Sequence, residues 1–130
     1  MTQVATYYTA FNNKLVEFVS DLSNTFPEMH DLKVLKSGIQ LAKTVDIKMP
    51  RQVFNEHVAD VYEQQILDKN EDFFLKEDYS HITQAHGLDI DIVSKLKEIW
   101  GTLDQENRNI IWKYLEVLVL LNRKCKSFNN

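Results

Sequence analysis

Residues 109–122 read NIIWKYLEVLVLLN, and between Ile110 and Leu121 only Lys113 and Glu116 are polar. A helix over this stretch is apolar almost all the way round. Such a helix persists in water only when other helices, or a second copy of the chain, surround it. The run Val117–Leu121 is far too short to span a bilayer, which takes roughly 20 apolar residues. The segment therefore reads as the axis of a helical bundle, and the rest of the chain must supply the covering helices.

Upstream, Val4, Tyr8, Phe11, Leu15, Phe18 and Leu22 alternate steps of four and three, placing six side chains on one helical stripe with Asn12, Lys14, Glu17 and Asp21 off it. Thr2 can cap this helix, and Pro27 forces its end, because the residue before proline disfavours helical geometry. A second helix is expected from about Glu28 to Val45, with Leu32, Leu35, Ile39 and Ala42 as its apolar face. Glu28 and Asp31 suit the positive end of its dipole. Gly38 inside it costs about 1 kcal/mol relative to alanine, and a closely crossing helix is one reason for it to stand there. Pro50 fits the first turn of a third helix, whose face is Phe54, Val58, Val61, Tyr62 and Ile66. Lys69–Asp72 breaks that pattern.

A short helix is expected over Tyr79–His86 with Gly87 as its stop. Asp89 then caps a helix carrying Ile92, Val93, Leu96, Ile99 and Trp100, which Gly101 ends. Thr102 and Gln105 fit a capping box opening the last helix, with Asp104 and Glu106 in its first turn. No stretch alternates with period two between hairpin turns. The expected fold is all-α: a compact bundle of five main helices plus one short helix around the apolar C-terminal helix, in a single domain spanning 1–130.

The 130 residues suffice to bury a core without disulfides or metal. A lone cysteine, Cys125, has no intrachain partner, and no secretory leader opens the chain, so a reducing intracellular compartment is expected. The net charge of −4 is unevenly spread. Residues 51–80 carry three basic and eight acidic side chains, residues 105–130 five basic and two acidic. Opposite charge on two parts of a surface can steer partners. The overall acidity disfavours nonspecific nucleic-acid binding, which clustered Lys and Arg drive.

Catalytic signals are sparse. His81 and His86 are five apart and diverge on a helix; Glu56, Asp60 and Glu63 share a face of the kind usually left to solvent. The Glu-x-x-His motif of di-iron bundles does not occur, nor does a phosphate loop or nucleophile elbow. Cys125 lies in the basic tail Arg123-Lys124-Cys125-Lys126, which can lower a thiol pKa, but the plainer reading is an incidental thiol near a fraying end. No cofactor, metal or small-molecule substrate is implied. The function expected is non-enzymatic, through a protein partner or a homodimer. Phe73, Phe74 and Leu75 stand together amid charge and either plug the open end of the bundle or leave an aromatic exposed as an interface anchor; they are the candidate contact residues, with Glu71, Asp72, Glu77 and Asp78 as their acidic rim. An alternative is a nucleic-acid or transcription-complex accessory protein using Arg123, Lys124 and Lys126.

The order Phe11, Phe18, then Phe26-Pro27-Glu28, Pro50-Arg51, Phe73-Phe74 with Asp78-Tyr79, and Ile111-Trp112-Lys113-Tyr114-Leu115 resembles a group of small helical proteins in large double-stranded DNA viruses of algae and protists. The resemblance covers about Phe11 to Leu121. It implies a viral origin and a place in the host cytoplasm or the virion, and it carries over no functional residue. A second comparison is the viral Bcl-2-like fold, a host-modulating helical bundle, with Trp100-Gly101 as the one echo of its first homology motif.

Overall fold

Helix α1 runs over Gln3–Thr25 in the computed structural model, which describes residues 3–72, 96 and 99–129. Tyr8, Phe11, Leu15, Phe18 and Leu22 of its expected stripe are all buried. Each such side chain contributes about 1.5–3 kcal/mol on burial, more than any cap, so packing holds this helix in place. It stops ahead of Pro27, with the Phe26 N–H still donating to the Leu22 carbonyl at 2.9 Å. Asn12, expected off the stripe, is buried instead. Its Nδ2 donates to the Ile47 carbonyl at 2.9 Å and ties α1 to the turn that follows the second helix.

Helix α2 spans His30–Val45 and buries Leu32, Leu35, Ile39 and Ala42, the face its spacing predicts. It starts later than Glu28 because the chain turns first, the Met29 N–H donating to the Phe26 carbonyl at 3.0 Å. A Cβ placed at Gly38 meets nothing within 4 Å, so no helix among the described residues crosses closely at that point.

Helix α3 (Met49–Phe54), with Pro50 in its first turn, continues through a π-helical turn at Asn55–Ala59 into α4 (Asp60–Leu67). The apolar spacing explains the wide turn. Phe54, Val58, Tyr62 and Ile66 are buried and lie four apart each time. On an ideal α-helix such a row drifts by about 40° per step. A turn of i→i+5 bonding absorbs an extra residue and returns the row to the core; the Asp60 N–H accordingly bonds the Asn55 carbonyl. Val61, expected on this face, is 49% exposed because it falls three residues after Val58 rather than four.

At the end of α4, Asn70 N–H donates to the Gln65 carbonyl at 2.9 Å and Lys69 N–H to Ile66 at 3.1 Å. That is a Schellman closure, and Lys69 occupies its left-handed position at φ 55°. Leu96, Ile99 and Trp100 are helical and buried. The helix expected over Tyr79–His86, with Gly87, Asp89, Ile92 and Val93, lies outside the described residues.

Helix α5 runs over Gln105–Asn129, well past Asn122. Asp104 caps it, its Oδ1 accepting from the Asn107 N–H at 2.8 Å. Thr102, expected in that role, donates its hydroxyl to the Ile99 carbonyl at 2.7 Å. Helix α1 touches both α2 and α5, and α5 also packs on α4. Side chains from all these elements join one continuous core. The protein is all-α, with no strand among the described residues. No helix among them is long and apolar enough to cross a membrane.

Candidate functional site

Charge is where the structure departs most from the sequence reading. Parts of the acidic region and of the basic C-terminal region meet at the surface of the same molecule. Arg123 clasps Glu63 with two bonds, Nη2 to Oε2 at 2.9 Å and Nε to Oε1 at 3.3 Å. Hydrogen bonding and the charge of Glu63 hold the Arg123 guanidinium protonated more firmly than usual. Lys126 Nζ lies 3.9 Å from Asp60, and Arg108 Nη1 lies 3.5 Å from Glu71. Some of the opposite charges expected to steer partners thus close on each other, across the contact of α5 with α4 and the turn after it. Arg123, Lys124 and Lys126 belong to α5 rather than to a loose tail, and two of the three face carboxylates.

Of the contact residues expected from sequence, Phe73, Phe74, Leu75, Glu77 and Asp78 lie outside the described residues. Glu71 is half-buried through its link to Arg108, so it is engaged within the chain. The Asp72 N–H donates to Asn70 Oδ1 at 3.1 Å. Trp100, the echo of a homology motif, is a core residue, packed edge-on against Trp112 with ring centroids 5.3 Å apart.

A buried polar cluster went unrecognised in the sequence. Arg51 is 6% exposed. Its Nη1 donates to Asn122 Oδ1 at 3.3 Å, its guanidinium lies 5.6 Å from the Tyr8 ring centroid, and its Nε has no acceptor among the described residues. Asn122 Nδ2 donates in turn to Asn55 Oδ1 at 3.0 Å, and Asn55 Nδ2 to Asp60 Oδ2 at 3.3 Å. The chain of bonds starts in α3, passes through α5 and returns to the first residue of the π turn, fixing the register of α5. Cys125 lies in the same region and is fully buried, against the expectation of a thiol at a fraying end. Burial pushes its pKa up, and the Arg51 charge offsets this only in part. A shielded, protonated thiol is a poor nucleophile.

At the α1–α5 contact, Tyr114 stacks on Phe18 with centroids 4.7 Å apart, and its hydroxyl donates to Asp21. Burial, then the Asp21 carboxylate, raises its pKa far above the ordinary tyrosine value. Beside Tyr114 a groove of about 240 Å³ opens between α1 and α5, lined also by Lys14, Glu17, Ile110, Lys113 and Val117. Ile110 is 46% exposed and Leu120 45%. The helix expected to be enclosed on all sides therefore keeps one apolar side toward solvent. Helix α2 also has an outward apolar row, Val34, Leu41 and Val45. Among the described residues, no three His, Cys, Asp or Glu side chains are placed to hold a metal ion.

No family model, curated protein or solved structure matches this chain.

Proposed function

We propose that the chain is a non-enzymatic helical protein-interaction module that docks its partner through the outward side of α5. The observation that carries this reading is the pair Ile110 and Leu120, each nearly half exposed on a helix whose other side is the molecular core. Side chains of this size left outside next to an apolar groove gain from being covered. The groups most suited to chemistry support the same reading. Cys125 is shielded with a raised pKa, and Arg51 is buried with its Nη1 bonded to Asn122. In the full reading the module is one domain of five main helices and a short one, with Phe73, Phe74 and Leu75 as a second contact. Its proposed setting is a large DNA virus, in the host cytoplasm or the virion.

The test is affinity purification from infected cells with two baits, the natural chain and an Ile110→Glu/Leu120→Glu variant. Proteins held by the first and lost from the second are expected. Identical sets from both, with the variant folded, would remove α5 from the interface.

A further inference from the structure

Along the outward side of α5 stand Glu106, Ile110, Lys113, Val117, Leu120 and Lys124, again alternating steps of four and three. That is the spacing of a coiled-coil seam, and here it faces away from the core. Glu106, Lys113 and Lys124 are exposed and Val117 half-buried, beside the exposed Ile110 and Leu120. Among the described residues the seam charges Glu106, Lys113 and Lys124 have no ion-pair partner, whereas Arg108, Arg123 and Lys126 on the same helix do.

The order of residues selects an occupant. Against a second α5 running the opposite way, each layer pairs positions whose numbers add to a constant. Ile110 then meets Leu120, Val117 meets Lys113, and Glu106 meets Lys124. Two-fold symmetry makes each contact twice. The apolar pairs lie inside, an ion pair closes each end, and the Lys113 stem covers Val117 while its ammonium stays wet. A parallel arrangement would set Glu106 on Glu106 and Lys113 on Lys113, like charge on like.

We infer that α5 is a self-complementary seam and that its partner is a second copy of this chain, bound antiparallel. The inference rests on the reading of α5 as the docking side and adds the identity of the occupant. Helix α2 offers no equivalent. Of the charged residues in phase with its outward row, Asp31 is engaged within the chain and Lys48 lies beyond the helix, over the Tyr8 ring.

Sedimentation equilibrium on the full chain at low salt tests it. The natural chain is expected to dimerise with concentration. Glu106→Lys or Lys124→Glu alone should weaken the dimer by about tenfold, since each replaces two ion pairs by two repulsions. The double variant Glu106→Lys/Lys124→Glu should return to within about threefold of the natural chain, because the swap restores both pairs. Leu41→Glu on α2 should leave the dimer intact. A natural chain that stays monomeric at all concentrations, a double variant no better than the singles, or dissociation by Leu41→Glu would each overturn the inference. Self-pairing alone fails if the natural chain is monomeric yet Ile110→Glu/Leu120→Glu still releases other proteins in the purification. Both ideas fail if neither effect is seen.

Discussion

The two sides of α5 carry similar apolar residues and face different fates. Inward, Ile111, Trp112, Leu115, Leu118 and Val119 are buried, and below them Asn122 and Cys125 are sealed in with Arg51. The basic residues nearest that side are matched by Glu63, Asp60 and Glu71. Outward, Ile110 and Leu120 stay half uncovered, and the charges between them have no match among the described residues. Hydrophobicity alone does not separate the two sides. What separates them is whether the charged neighbours are already satisfied within the chain.

That contrast can be broken most forcefully at Trp112. Trp112→Ala on the inward side should lose about 3–5 kcal/mol of stability in urea unfolding, whereas Leu120→Ala, at concentrations where the chain is monomeric, should lose under about 1 kcal/mol because half the side chain is already wet. Equal losses would erase the distinction. Next comes the polar cluster. Asn122→Ala strips the Asn122 hydrogen bond from a buried guanidinium and should cost about 2–3 kcal/mol. An Asn122→Leu/Arg51→Met double variant should recover most of that, since an apolar pair leaves no buried charge behind. A double variant as unstable as the single would show that the network stabilises by more than neutralising itself.

A smaller effect appears with pH. The native Cys125 thiol keeps its proton more tightly than in the unfolded chain, where an ordinary thiol titrates at about 8.5. Above that pH the unfolded state releases a proton that the native state retains, so stability should fall as pH rises until the native thiol ionises. Cys125→Ala should flatten this slope between pH 8 and 10, and an unchanged slope would contradict a shielded thiol. The faintest expected effect is at Arg123. Arg123→Gln removes an exposed ion pair and should leave the urea midpoint at 0.15 M salt nearly unmoved. A large drop there would mean that the charge match, rather than apolar packing, holds α5 in place.

Much of the fold was legible because amphipathic spacing is a direct record of burial. The α1 stripe from Tyr8 to Leu22 and the Leu32, Leu35, Ile39, Ala42 face of α2 are buried as their spacing demands. The π turn was not legible there: Phe54, Val58, Val61, Tyr62 and Ile66 fit an ordinary helical face, and the four-residue recurrence that leaves out Val61 emerges only with the burial pattern. Helix α5 was legible as a helix but not in its surroundings, because an apolar run does not say which side a neighbour covers. Its signal was the placement of Lys113 and Glu116, the two polar residues of the run, on the outward side. The apolar stretch stops at Asn122, and only the tertiary contact with Arg51 shows that this asparagine is interior. The pairing of Arg123 with Glu63, 60 positions apart, depends on distances that spacing along the chain does not encode.

Disulfide trapping tests the seam most directly. Two preparations are made, one carrying Ile110→Cys and one Leu120→Cys, each retaining the buried Cys125, and they are mixed under mild oxidation. Antiparallel pairing places position 110 of one copy against 120 of the other, so the cross-linked species should be the mixed dimer, with little Ile110→Cys cross-linked to itself. Preferential cross-linking of like with like, or no cross-link at concentrations where the natural chain self-associates, would contradict the seam.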